Sequence, residues 1–236
     1  MNVLDLFSGI GGFSLGLERA GMKTVAFCEI DPYAKKVLKK HWPDVPIYSD
    51  VRELNYARLC SDGIDKIDLI CGGFPCQDIS VAGKQAGITG QRSGLWSEIA
   101  RLISEIRPLY AIMENVTNLL AGERGAWFGR VLGDLAEIGY NAEWHCIPAS
   151  HIGASHRRDR VWVVAYSKSL PKHHKIIQQR NINSYRDEAF RQIVGCSIPR
   201  SIDGIPSRVD RLRCLGNAVV PQIPEIIGRA IIQCES

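Results

Sequence analysis

The residues best able to do chemistry gather around one cysteine. Cys76 sits in Gly72-Gly73-Phe74-Pro75-Cys76-Gln77-Asp78-Ile79-Ser80, directly after the short apolar run Ile67-Asp68-Leu69-Ile70-Cys71. That run suits a buried strand. Two glycines then let the backbone turn sharply, and proline fixes the approach to the thiol. Most cysteines are small buried hydrophobes, but a mere core residue does not need so constrained a loop. A thiol at the end of such a strand faces a crevice, which is where open α/β sheets place their ligands. Acids stand at the ends of three other predicted strands, Glu29, Asp50 and Glu114, and Arg157-Arg158-Asp159-Arg160 forms a basic turn. Arginine-rich turns usually meet phosphate or solvent.

The elements that must position these groups alternate along the chain. Asn2 to Phe7 reads as a strand that runs into Ser8-Gly9-Ile10-Gly11-Gly12, and a helix from Phe13 to Ala20 stops at Gly21. Strand, glycine-rich turn and helix make the first half of a nucleotide-binding βαβ unit, with free N–H groups at the helix start. Thr24 to Glu29 is a second strand, and Glu29, 18 residues after Gly11, stands where such folds place an acid on ribose hydroxyls. Pro32 opens a helix to about Lys40, Val45 to Tyr48 is a third strand before Asp50-Val51, and the fourth leads to Cys76. Residues 81–94 read as a mobile loop, Leu95 to Ile106 as a helix, Tyr110 to Met113 as a fifth strand before Glu114, and Trp127 to Ile138 as another helix. Strands follow over Asn141 to Pro148 and Arg160 to Tyr166, and Ile223 to Ile232 is helical. This alternation predicts a doubly wound α/β sheet.

Composition sets outer bounds. The 236 residues suffice for one full domain, and 45% hydrophobic with 23% charged residues is ordinary for a globular protein. No apolar run nears the ~20 residues of a membrane span, and the start lacks a signal-peptide pattern, so the expectation is a cytoplasmic protein without a membrane role. The eight cysteines include no Cys-x-x-Cys pair, which favours reduced thiols and no metal site. Charge is uneven: residues 1–150 hold 15 Lys/Arg against 18 Asp/Glu, whereas 151–213 hold 13 against 5. A basic segment beside a near-neutral body predicts a polyanionic partner.

Taken in order, Asp5-Leu6-Phe7-Ser8-Gly9-x-Gly11-Gly12, Glu29, Asp50, Gly73-Phe74-Pro75-Cys76-Gln77, Glu114-Asn115-Val116, Arg157-Arg158-x-Arg160 and Gly216-Asn217-x-Val219-Val220 resemble the cytosine carbon-5 DNA methyltransferase family. The resemblance covers about 1–166 and 208–232. It implies a mostly parallel, Rossmann-like sheet of the S-adenosylmethionine-dependent methyltransferase type, in a prokaryotic or phage protein of the restriction–modification kind. It further implies that the Cys76 thiolate adds to carbon-6 of a cytosine flipped out of double-stranded DNA, so that carbon-5 can accept the methyl group. Glu114 would hydrogen-bond the ring nitrogen and amino edge and deliver a proton. Arg160 would hold the ring oxygen, and Arg158 would support the cysteine loop. Phe7 would stack near the adenine of the cofactor, and the Ser8, Gly9 and Gly11 backbone would surround its methionine end. Glu29 with Ile30 would meet the ribose and Asp50 with Val51 the adenine, while Pro75, Leu95 and Asn217 complete the wall. S-adenosylhomocysteine would be the product. Ser80, Gln85, Arg92 and Arg157 would contact nucleic acid, the first three from a lid over the flipped base. His156 stands where many relatives have glutamine.

The resemblance departs from the family in one place. Relatives carry a target-recognition region, often well over a hundred residues long, where residues 167–207 are all that stand here. The expected organisation is a catalytic and cofactor domain at 1–166, a reduced recognition segment at 167–207, and a C-terminal return at 208–236 that completes the cofactor domain. Short specificity built on basic contacts, recognition supplied by a partner protein, or a trimmed copy would each account for it. The expected enzyme is a monomer. The alternatives are an RNA (tRNA) cytosine-5 methyltransferase, since fold and cofactor site do not separate DNA from RNA, and a non-catalytic nucleic-acid-binding relative.

Overall fold

The computed structural model describes residues 1–74, 94–152, 158–170, 210, 214 and 217–235. Pro75, Cys76, Ser80, Gln85, Arg92, His156 and Arg157 lie outside the described residues, as does most of 167–207. The described strands form one sheet: β1 (Asn2–Leu6), β2 (Lys23–Cys28), β3 (Ile47–Tyr48), β4 (Leu69–Gly73), β5 (Tyr110–Val116), β6 (Tyr140–Pro148) and β7 (Asp159–Ser167). Their order is β3-β2-β1-β4-β5-β7-β6. The first five run parallel, and β7 pairs antiparallel with both β5 and β6. The chain winds outward from β1 to β3, then restarts at β4 on the other side of β1. A crevice opens at that switch point.

Both faces of the sheet are covered, which is why its central strands read as continuous apolar runs. Along β1, Leu4 and Leu6 join one core while Val3 joins the other, and along β5 Met113 and Ile112 divide in the same way. The first core is closed by α4 (Leu95–Ile106) and α6 (Ala126–Glu137) through Ile99, Ile103, Val131 and Leu135. The second is closed by α1 (Gly12–Arg19) and α7 (Gln222–Glu235) through Phe13, Leu17, Ile223 and Ile227. Contact between α1 and α7 is close because glycines allow it. A Cβ at Gly16 would stand 2.1 Å from the Pro221 carbonyl oxygen, and one at Gly228 would stand 2.9 Å from the Ala20 Cβ. The last helix therefore returns onto the first.

The remaining helices are α2 (Pro32–His41), α3 (Tyr56–Ser61) and the one-turn α5 (Asn118–Ala121). Asp31 caps α2 by accepting the Tyr33 and Ala34 N–H groups, with Pro32 at the first helical position. Sequence periodicity gives no sign of α3, six residues capped by Asn55. Two expectations change at the sheet. Gly72 and Gly73 lie within β4 and do not form a turn, and neither takes a positive φ. Close approach accounts for them, since a Cβ at Gly72 would meet the Leu6 carbonyl oxygen at 2.5 Å and one at Gly73 the Glu114 carboxylate at 3.2 Å. β5 also runs three residues beyond Met113, so Glu114 sits on the strand, in register with Gly73 and Trp162.

Candidate active site

The loop leaving β1 is folded tightly, with Phe7, Gly9 and Gly11 all at positive φ. It is held from beneath. The Ser8 hydroxyl donates to the Asp5 carbonyl at 2.6 Å and to the Cys28 carbonyl at 3.3 Å. Asp5 itself is fully buried and accepts the Ser14 hydroxyl at 2.7 Å. Burial pushes its carboxyl up to about 7, against the Ser14 and Cys71 hydrogen bonds, which favour the anion. Ser8 is thus a strut of the loop. Gly11 packs on Trp42, whose ring would stand 2.6 Å from an added Cβ. Neither Ser8 nor Gly11 lines the cavity described next, although sequence reasoning placed both at the cofactor. Gly9 does line it, and nothing lies within 4 Å of where its Cβ would be.

That cavity, about 750 Å³, opens across the C-terminal ends of β1 to β5. Phe7, Gly9, Glu29 and Ile30 form one part of its wall, Asp50 and Val51 another, and Leu95 and Asn217 also face it. Glu29 is buried and bridges two loops, taking the Gly9 N–H on Oε2 at 2.6 Å and the Asp31 N–H on Oε1 at 2.7 Å. Ile30 beside it is 65% exposed, an apolar side chain held open to the cavity. Asp50 receives Arg52 in a two-pronged pair, Nε to Oδ1 at 2.9 Å and Nη2 to Oδ2 at 2.6 Å. Those hydrogen bonds hold its carboxyl below the usual range.

The far end of the same cavity carries Glu114, Arg158 and Arg160. Glu114 is buried, and its Oε1 lies 2.9 Å from Arg160 Nε. Burial raises its pKa, opposed by the charges of Arg160 and Arg158. Burial also lowers the pKa of Arg158, with the Arg160 charge acting in the same direction and Glu114 against it. A carboxyl that tends to keep its proton therefore sits against two cations with fixed donors, an arrangement able to give a proton and stabilise an oxyanion.

The structure adds residues that sequence reasoning did not name as site residues. Asn115, 4% exposed, donates its amide to the Phe74 carbonyl at 2.8 Å and accepts the Val116 N–H at 2.9 Å. It braces the backbone just before Pro75-Cys76. A polar amide ending an apolar strand was the available signal. Asp31, Arg52, Phe74 and Cys214 also line the cavity. Of these, only the Asp50-x-Arg52 spacing was open to a local reading. The fit to a nucleoside-bearing cofactor rests on the cavity size, its carboxylates at two neighbouring strand ends, and the open space above Gly9.

Residues 1–197 match the family model described as C-5 cytosine-specific DNA methylase. The chain is 40% identical over 176 residues to the Type II methyltransferase M2.BsuMI of Bacillus subtilis (strain 168), covering 73% of this chain and 43% of that protein. A prophage-encoded E. coli protein described as a DNA modification methyltransferase superposes with a TM-score of 0.63 at 30% identity, covering 74% of this chain and 49% of that one. The Entamoeba histolytica methyltransferase EhMeth shares the fold over 100% of this chain and 99% of its own, with a TM-score of 0.67 at 15% identity. The chain spans about half the length of the curated relatives it matches.

Proposed function

Because the chain belongs to the C-5 cytosine-specific DNA methylase family, we propose that it is an S-adenosylmethionine-dependent DNA (cytosine-5-)-methyltransferase. The observation that carries this reading is the buried Glu114–Arg160 pair at 2.9 Å, sharing a cavity with the strand-end acids Glu29 and Asp50. S-adenosylmethionine, when bound, supplies an electrophilic methyl group. Glu29 and Ile30 would hold its ribose side, Asp50 and Val51 its base side, and Phe7, Gly9, Pro75, Leu95 and Asn217 would enclose it.

Cytosine carbon-5 is a poor nucleophile, and the residues at the other end of the cavity are suited to activating it. The Cys76 thiolate forms a bond to carbon-6 while Glu114 gives its proton to the ring nitrogen, so electron density moves to carbon-5. Arg160 donates to the ring oxygen as charge gathers there. Once carbon-5 carries the methyl group its own proton passes to water, the sulfur–carbon-6 bond breaks to release the thiolate, and the ring nitrogen returns its proton to the Glu114 carboxylate. Asn115 keeps the backbone at Phe74 fixed and so sets where the cysteine loop begins.

The target base lies inside a duplex and has to be flipped out to reach this cavity. Ser80, Gln85 and Arg92 are assigned to a lid over the flipped base and the phosphate backbone, and Arg157 to the nucleic acid. Residues 167–207 act as a reduced recognition element, giving short sequence specificity through basic contacts. Among the described residues no helix is long and apolar enough to cross a membrane.

Incubation with methyl-labelled cofactor and either duplex DNA or tRNA, repeated with Cys76→Ala, tests the proposal. Label is expected on DNA and absent with the variant. Label on tRNA alone would overturn the substrate, and label persisting in Cys76→Ala would overturn the mechanism.

A further inference from the structure

The Asp50–Val51 wall of the cavity is carried by the least supported part of the sheet. β3 is a two-residue edge strand that pairs with β2 alone. The hydrogen bonds inside the following segment, from Glu53 N–H to the Asp50 carbonyl and from Arg52 to Asp50, are local and do not fix it to the rest of the molecule. A long-range tie comes from Arg101 on α4. Its Nη2 donates to the carbonyl oxygens of Val51 at 3.1 Å and Leu54 at 2.8 Å. Its Nε donates to Glu98 at 2.8 Å and its Nη1 to Glu105 at 2.8 Å. The other oxygen of Glu105 accepts the N–H of Tyr56, the first residue of α3, at 3.2 Å. Positions 98, 101 and 105 share one face of α4, and together they grip both ends of the 51–56 segment.

We propose that Arg101 is a positioning residue for the cofactor, clamping the Val51 wall onto the helix whose first residue, Leu95, lines the same cavity. The ligand named here rests on the methyltransferase reading above. Only a planar fork with separate donors can hold two carboxylates and two carbonyls at once. The two glutamates keep the guanidinium aimed, and the two carbonyls transmit its position to the wall. Val51 and Leu54 are themselves buried in the core, so the segment stays folded without the clamp and loses only its exact placement.

Calorimetric titration of S-adenosylhomocysteine into wild type, Arg101→Ala and Arg101→Lys, with hydrogen exchange on each, tests this. Loss of two charge-assisted bonds to the wall is expected to weaken binding about ten-fold in Arg101→Ala. Amide exchange should rise in residues 50–56 while β4 and β5 stay protected, and Arg101→Lys should fall between, because an ammonium cannot reproduce the fork. Equal affinity in wild type and Arg101→Ala overturns the clamp, as does exchange that rises uniformly across the sheet. Failure of wild type to bind S-adenosylhomocysteine overturns the methyltransferase reading instead, and exchange in residues 50–56 then decides the clamp by itself.

Discussion

Replacing Gly16 by alanine sets two effects of known size against each other. Alanine is favoured over glycine inside a helix by about 0.8–1.0 kcal/mol. At Gly16, however, the new Cβ would stand 2.1 Å from the Pro221 carbonyl oxygen, 2.8 Å from Pro224 Cγ and 2.9 Å from the Glu225 nitrogen. Ordinary contact begins at 3.4 Å, so the first turn of α7 must retreat from α1 by more than an ångström. Overpacking of this kind costs about 1–3 kcal/mol, and rigid backbone rather than a flexible side chain places this case at the upper end. After the helix gain is subtracted, Gly16→Ala should lose about 1–2 kcal/mol in urea unfolding. Gly129→Ala on α6 is the control, since nothing lies within 4 Å of its Cβ, and it should gain about 0.8–1.0 kcal/mol. The same chemical change thus separates the two variants by about 2–3 kcal/mol. Asn217 lies just before the displaced turn and lines the cavity, so Gly16→Ala should also weaken S-adenosylhomocysteine binding, and Gly129→Ala should not. A Gly16→Ala protein as stable as wild type would refute the close packing of the C-terminal helix on α1.

Two further substitutions probe buried carboxyls. Asp5 has its folded pKa raised to about 7 by burial, so the folded state holds the proton more tightly than the unfolded state between about pH 4 and pH 7. Its contribution to stability is full below that window and lost as pH rises through it, a change on the order of 3–4 kcal/mol. Asp5→Asn does not ionise, so the gap in urea stability between it and wild type should shift in favour of the variant from pH 4.5 to pH 8 (about those values); parallel curves would count against a buried, protonated Asp5. Glu114→Gln keeps the size and an acceptor for Arg160 but has no acidic proton, so methyl transfer to DNA should fall by about 10²–10⁴-fold with S-adenosylhomocysteine affinity unchanged. Because burial raises the Glu114 pKa, the wild-type rate should hold to higher pH than an ordinary carboxyl allows and decline above that point. A Gln variant with the wild-type rate would remove Glu114 from the chemistry.

What the sequence made legible was what depends on near neighbours. A strand running into Ser8-Gly9-Ile10-Gly11-Gly12, an acid 18 residues after Gly11, and Pro32 opening a helix are local patterns, and the structure contains the strand, the turn and the helix they describe. Glycines show where that legibility ends. Local sequence says that something approaches the backbone at Gly11 and Gly12 and that the chain turns at Gly72, but what decides all three is the approach of Trp42, Val219 and Leu6, supplied by other elements. Gly9, with the same apparent meaning, faces open space in the cavity. The reversal of β7 is likewise set by which strand it pairs with, and an apolar run such as Val161-Trp162-Val163-Val164 is silent on direction. Arg101 is the extreme case. Read in its helix, it is one member of an ordinary surface series with Glu98 and Glu105, worth a few tenths of a kcal/mol; only the carbonyls of Val51 and Leu54, some fifty residues back along the chain, turn it into a support of the cavity wall. Groups that perform chemistry are marked by residue type and spacing, whereas groups that hold them in place are defined by partners distant in sequence, and so the supports of this site were the part that only the fold could reveal.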